Sequence, residues 1–230
     1  MKQYTKINTI FKRDEKTKRI VEGDYSLPEF DYLKDNKWIF TEKVDGTNIR
    51  VMWNGDRVVF GGKTDEASIP VFLLYKLQEL FEGTIKRQLF LEKFGTEGGV
   101  CLYGEGYGNK IQKAGSDYIK DGVDFILFDV KIGDWFLERE NIEDIAKQFN
   151  LKVVPIIGEG NLTEAVEMTR KGFKSQWGDF TAEGIVARPR VELKTRKGDR
   201  VITKIKYRDF ILFNFCRTIA RRKFGKYTKK

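Results

Sequence analysis

Apolar and polar positions alternate through the first half of the chain. Residues 37–44, 47–53 and 57–61 read as three successive strands, with Asp45-Gly46 and Asn54-Gly55 between them as hairpin-turn signals. From Pro70 the period changes. Phe72, Leu73, Leu77, Leu80, Phe81 and Ile85 fall at helical spacing, and Gly83 predicts a break into two helices. Residues 100–105 and 123–130 return to strand, the second as a nearly continuous apolar run that suits a central position. Helical patterns cover 138–149 and 162–173, the latter with its cap placed near Thr163. Short strands at 183–188 and 200–205 precede a helix expected over 207–223. These elements predict one α+β domain of largely antiparallel sheets flanked by helices, spanning 1–206, with a basic C-terminal helix or tail at 207–230.

Composition narrows the chemistry. The chain has 230 residues and no histidine, which excludes Ser-His-Asp and Cys-His triads, HExxH zinc sites and any imidazole base. Cys101 and Cys216 are its only cysteines, too few for a four-ligand structural zinc or a disulfide framework. Both suit reduced, buried packing. Catalysis, if present, falls to lysine, arginine, carboxylates or a metal. With no signal-peptide pattern and no apolar run of membrane-spanning length, the expectation is a cytoplasmic protein that does not enter membranes.

The net charge of +9 is uneven. Residues 207–230 hold eight lysines and arginines against Asp209 alone, interleaved with Phe210, Phe213, Phe215 and Phe224. A solvated helix with a basic end is one reading. Attachment to a phosphate backbone is favoured, because the charge is clustered on aromatic-rich sequence.

The candidate chemistry begins at Glu42-Lys43-Val44-Asp45-Gly46-Thr47-Asn48, where a lysine sits at a strand–turn junction. Alone, Lys-x-Asp-Gly fits an ordinary hairpin with an exposed lysine. Down the chain follow Tyr103-Gly104-Glu105-Gly106, Phe125-Ile126-Leu127-Phe128-Asp129, Glu183-Gly184-Ile185-Val186 and Lys204-Ile205-Lys206. The glycines at 104, 106 and 108 read as a loop, but no clean helix follows for a dinucleotide fingerprint. Each segment has an ordinary structural explanation; their joint order does not.

Over residues 36–207 this series resembles the ATP-dependent polynucleotide ligases of the covalent nucleotidyltransferase superfamily, nearest the RNA ligase 2 group. The resemblance implies that Lys43 attacks the α-phosphate of ATP to form a lysyl-adenylate. AMP then passes to an RNA 5′-phosphate, and a 3′-hydroxyl displaces it to seal the strand. It further implies that Glu42 contacts adenine, Phe128 stacks on it, and Glu105 accepts from the ribose. Lys63, Lys204 and Lys206 would meet phosphates, and Asn48 would support sealing. Glu183, with Asp129 or Asp45 as helpers, would hold Mg²⁺ or Mn²⁺. Asn48 stands where DNA ligases and capping enzymes usually carry arginine. Lys63 replaces a common arginine, which weakens bidentate recognition, and Asp45 a common histidine.

Lys204 and Lys206 alternate by two, so they share one strand face. Lys43 must shed its proton before it attacks. Cations around it therefore predict activity that rises from neutral to mildly alkaline pH. Residues 207–230 are too few for the OB-fold or helical domain of relatives, so the basic tail, or a partner, is expected to act as the clamp. The expected partner is RNA with 5′-phosphate and 3′-hydroxyl ends, as a nick or single strand, bound by a monomer. A DNA ligase, a capping guanylyltransferase and a non-catalytic RNA-binding module are the alternatives.

Overall fold

The computed structural model describes residues 3–211. The chain folds into two compact units. One comprises Met1–Tyr4 and Val44–Val154, and is called central for its place in the sequence; the other, the flanking unit, comprises Thr5–Lys43 and Pro155–Lys230. The chain passes between them at Tyr4–Thr5, at Lys43–Val44 and again at Val154–Pro155.

The flanking unit opens with β1 (Asn8–Thr9), β2 (Phe11–Arg13), β3 (Ile20–Tyr25), α1 (Pro28–Tyr32) and β4 (Trp38–Glu42). The central unit follows as β5 (Thr47–Trp53), β6 (Val58–Gly61), α2 (Val71–Phe81), α3 (Thr84–Phe94), β7 (Val100–Gly108), α4 (Gly115–Tyr118), β8 (Val123–Ile132), β9 (Trp135–Phe136), α5 (Arg139–Phe149) and β10 (Lys152–Val153). The flanking unit then resumes with β11 (Ile156–Gly160), α6 (Leu162–Lys171), β12 (Gly184–Pro189) and β13 (Thr203–Lys206).

The central sheet runs β10-β8-β7-β5-β6, and its β5–β7–β8 heart is antiparallel. Alternation along β5 sends Ile49, Val51 and Trp53 to one face, where Leu73, Leu77 and Phe81 of α2 and Ile142 and Phe149 of α5 cover them. Full burial of each such side chain contributes about 1.5–3 kcal/mol. Trp53 stacks on Phe90 at 5.1 Å, which fixes α3 over the sheet end. The flanking sheet runs β1-β13-β12-β4-β11. Trp38 and Phe40 of β4, Ile185 and Ala187 of β12 and Ile205 of β13 meet Leu162, Ala165 and Val166 of α6 beneath it.

The mixed α+β class holds, with parallel pairs at β1–β13 and β10–β8. Several local expectations need correction. Asn54-Gly55 does close the β5–β6 hairpin, but Asp45-Gly46 closes none: β4 pairs with β11 and β12, while β5 pairs with β6 and β7. The Asp-Gly signal marks a change of sheet. Residues 104, 106 and 108 are not a loop but the second half of β7. A Cβ on Gly104 would lie 2.2 Å from Phe125, so close packing inside the sheet requires that glycine. The cap of α6 is Asn161, in a reciprocal capping box with Glu164, and the helix ends at Lys171 before Gly172 at φ 76°. Residues 208–211 are helical; the rest of the helix and tail expected over 207–230 lies outside the described residues.

Candidate active site

Three adjacent strands of the flanking sheet bring their chemistry to one edge. In the antiparallel order β13-β12-β4, the C-terminal ends of β13 and β4 flank the N-terminal end of β12. Lys43, just past β4, donates its backbone N–H to Gly184 O at 2.9 Å. Tyr207, just past β13, donates its own to Glu183 O at 2.9 Å. The ladders therefore run one residue beyond the named strands and fix the directions of Lys43, Glu183 and Lys206.

Their side chains converge. Lys43 Nζ donates to Glu183 Oε2 at 2.6 Å, and Lys206 Nζ to Glu183 Oε1 at 2.8 Å. The three side chains keep 20, 13 and 15% of their surface in the order Lys43, Glu183, Lys206. They are shielded yet reachable. Two ammonium groups share one carboxylate, which leaves a net positive charge suited to a phosphate. As arranged here, Lys43 spends a proton on Glu183, so its amine can act as a nucleophile only once that contact breaks. The sequence motifs suggest cations around Lys43; the fold also sets the Glu183 carboxylate directly against it. Lys204 faces the same side of β13 as Lys206, opposite Val186.

Glu42 points to the other face of β4 and is 1% exposed. Ser175 donates its hydroxyl to Glu42 Oε1 at 2.6 Å, and the Gln176 N–H donates to Oε2 at 2.8 Å. Ser175 Oγ also accepts the Trp177 N–H at 3.1 Å, which directs the hydroxyl proton at Glu42. Burial pushes the Glu42 carboxyl above the ordinary range, and these two hydrogen bonds partly offset it. Nothing in the sequence around Ser175 signalled this role; only the fold of residues 174–181 back on themselves, with Lys174 bridged to Thr181, brings it to β4.

The other expected site residues lie on the central unit, with Asn48, Glu105, Phe128 and Asp129 on the sheet face opposite its core and Asp45 and Lys63 outside its strands. Asn48 and Glu105 are partners across β5–β7. The Asn48 Oδ1 atom is buried and has no hydrogen-bond partner among the described residues. A Cβ on Gly46 would lie 2.3 Å from Gly106 O and 2.7 Å from Glu105 Cγ. The Lys-x-Asp-Gly glycine is therefore demanded by the close passage of β7. The Asp45 N–H donates to Tyr118 Oη at 3.1 Å.

On β8 the register slips between Tyr103↔Asp129 and Gly104↔Leu127, leaving Phe128 as an extra residue. This bulge turns Phe128 and Asp129 to the same side, where strict alternation would oppose them. Tyr4 touches both: its ring lies 5.0 Å from that of Phe128, and its hydroxyl donates to Asp129 Oδ2 at 2.5 Å. Tyr4 is a contact the sequence gave no reason to expect. Lys63 is exposed on the loop after β6. The fully buried Arg50 grips that loop on both sides of it, donating to Gly62 O at 2.8 Å and Asp65 Oδ1 at 2.7 Å. That guanidinium holds the Asp65 carboxyl below its usual range. Cys101 is buried as expected, and burial pushes its thiol up to about 11, which removes it as a nucleophile at neutral pH; Cys216 lies outside the described residues.

Among the described residues no cluster of three or more cysteine, aspartate and glutamate side chains is placed to hold a metal, and no helix is long and apolar enough to cross a membrane. Glu183 thus offers a one-carboxylate anchor. That donor set fits a magnesium-like ion which takes its remaining ligands from phosphates and water.

Residues 36–206 match the family described as RNA ligase. Among solved structures, the chain is similar to Naegleria gruberi RNA ligase with PPi, at 19% identity and TM-score 0.62, over 92% of this chain and 60% of that one. The same ligase with ATP and Mn, as a point mutant, matches at 18% and 0.61, over 90% and 64%. Another point mutant, with AMP and Mn, matches at 20% and 0.58, over 78% and 52%. The chain thus spans between about half and two thirds of these proteins, and at such identities the likeness is one of fold.

Proposed function

The chain belongs to the RNA ligase family, and from that premise we propose that it is an ATP-dependent RNA ligase whose nucleophile is Lys43. The Lys43–Glu183–Lys206 constellation carries this reading, because it sets a lysine amine, a second cation and a carboxylate at one sheet edge. In the first step Lys43 Nζ, having released its proton, attacks the α-phosphorus of ATP. A P–N bond forms, the P–O bond to the leaving group breaks, and pyrophosphate departs. The RNA 5′-phosphate then takes the AMP and frees Lys43. A 3′-hydroxyl displaces AMP and joins the strand.

Lys206 and Lys204 neutralise charge on the phosphate oxygens as the bond order changes, the electrostatic term that dominates phosphoryl-type transfer. Glu183 would hold Mg²⁺ or Mn²⁺, and the ion would supply positive charge for the departing pyrophosphate; the contact between Glu183 and Lys43 must open before Lys43 attacks. Glu42, held by Ser175 and Gln176, serves adenine, as do Phe128 by stacking and Glu105 through the ribose. Lys63 serves a phosphate. Asn48, with its buried unpartnered oxygen, is reserved for the sealing step, and Asp129 would assist Glu183 in holding the metal. Naegleria gruberi RNA ligase, of the same fold, binds ATP, AMP, Mn and PPi, which supports the nucleotide and the ion. The assignment of residues 1–206 as the nucleotidyltransferase domain, and of 207–230 as a nucleic-acid clamp, belongs to the same proposal. So do RNA ends bearing 5′-phosphate and 3′-hydroxyl, a monomeric state and a cytoplasmic location.

The test uses ATP or GTP labelled at the α-phosphate, with Mg²⁺ or Mn²⁺. The expected result is label from ATP on the denatured chain, stable to alkali and released by acid as a P–N bond requires, and absent in Lys43→Ala. Label from GTP alone would move the reading to a capping enzyme. No label from either would move it to a binding module.

A further inference from the structure

β12 runs away from the Glu183 edge and β13 returns to it; residues 190–202, which include a narrow hairpin, join them at the far end. Thr195 N–H donates to Asp199 O at 2.7 Å, Gly198 N–H to Thr195 O at 2.9 Å and Val201 N–H to Leu193 O at 2.9 Å. An isolated bridge pairs Lys194 with Arg200. Across the legs Arg200 grips Glu192 with two bonds, Nε to Oε1 at 2.5 Å and Nη2 to Oε2 at 2.7 Å. The Arg200 side chain is only 3% exposed there. Planar bidentate pairs of this kind fix geometry as well as charge.

That staple has an electrostatic consequence at the tip. Glu192, one of two acids in the hairpin, is consumed by Arg200. Lys194, Arg196 and Lys197 are exposed and make no ion pair among the described residues, and Asp199 is the hairpin's other acid. Three unneutralised cations on a rigid turn repel one another, a cost that an incoming polyanion reverses. Exposed Val191 and Leu193 on the rising leg add apolar surface beside them. The six residues of β12 put this tip at least ~20 Å from the Glu183 edge along the strand direction.

We propose that the 190–200 hairpin is a phosphate-backbone clamp for RNA, in which Lys194, Arg196 and Lys197 hold backbone phosphates one strand-length from Lys43. The inference rests on the ligase reading for the identity of the polyanion, and it is independent of the tail at 207–230. It concerns charge, not sequence readout, since nothing on the hairpin is arranged to read base edges.

The test compares the full chain with the Lys194→Gln/Arg196→Gln/Lys197→Gln variant and with a charge-keeping Lys194→Arg/Lys197→Arg variant. Binding to a nicked RNA duplex is measured across a salt series, beside ATP-dependent lysine adenylylation. The glutamine variant should flatten the slope of log K against log salt by about 3, near one per lost phosphate contact. At ~0.15 M salt it should bind on the order of 100-fold more weakly. The arginine variant should bind as the parent does, and adenylylation should be the same in all three. An unchanged slope with intact adenylylation overturns the clamp. So does a glutamine variant that loses binding to anionic phospholipid vesicles while keeping its RNA slope. If the parent forms no lysyl-adenylate yet the slope still falls, the clamp stands and the ligase reading fails.

Discussion

The hydrogen bond from Ser175 to Glu42 offers the sharpest quantitative test of how the site is held. Both residues are buried, at 5 and 1% exposure, and the bond is 2.6 Å long. Ser175→Ala deletes one of two donors to a carboxylate that solvent does not reach. A hydrogen bond to a charged group contributes about 1.5–3 kcal/mol. At about 1.4 kcal/mol per tenfold, that is roughly a 10- to 150-fold rise in the opening of the flanking unit. Native-state hydrogen exchange of the amides at 38–43 and 174–184 reads this opening locally, without requiring both units to unfold together. A cycle of Ser175→Ala, Glu42→Gln and the double variant isolates the pair, and the expected coupling is about 1.5–3 kcal/mol. The loss should shrink as the medium becomes acidic, because a protonated Glu42 no longer needs two donors. A coupling below about 0.5 kcal/mol, or one indifferent to pH, would refute the claim that Ser175 holds an ionised carboxylate.

Three further outcomes follow from the same geometry. Gly46→Ala, which forces a Cβ to within 2.3 Å of Gly106 O, should destabilise the central unit by about 1–3 kcal/mol and lower adenylylation; a melting curve like the parent's would contradict it. Burial raises the Glu42 carboxyl, so the folded state holds that proton more tightly than the unfolded chain does: acid favours folding through this group, and that contribution is lost as pH rises past the raised value. The charge serving adenine is lost in the opposite direction. The ATP concentration needed for half-maximal adenylylation should therefore climb on mild acidification, and Glu42→Gln should flatten the climb. Arg50→Gln should free the loop that carries Lys63 and raise the ATP requirement with little change in the saturated rate, while Arg50→Lys, which cannot grip Gly62 and Asp65 together, should rescue only in part; equal loss of both parameters would place Arg50 in general stability.

How much of this was legible beforehand depended on the range of the interaction. β5 is found at 47–53, as its alternation implied, and α2 and α3 part at Gly83, since both are local patterns. Lys43, Glu183 and Lys206 were singled out together because their motifs recur in order, and the sheet does unite them. Asp45-Gly46 misled, because a turn dipeptide says that the chain bends and not which strand it bends toward. β4 finds its partners more than a hundred residues away, in β11 and β12. The bulge at Phe128 was equally hidden, since one extra residue leaves no mark on composition yet decides which face carries Asp129. Tyr4, Arg50 and Ser175 act through partners that only tertiary structure supplies. The charge balance draws attention to 207–230, most of which lies outside the described residues, while a sum over the remaining residues conceals the basic hairpin tip at 194–197.

The central claim is that Lys43 becomes covalently joined to AMP. Incubation with ATP and Mn²⁺, proteolysis under alkaline conditions and tandem mass spectrometry locate any adduct to a single side chain. The account predicts AMP on Lys43, none in Lys43→Ala, and loss of the adduct when pyrophosphate is added back. An adduct on Lys204, Lys206 or any other residue of the active parent, or sealing of RNA with Lys43 left unmodified throughout, would contradict it.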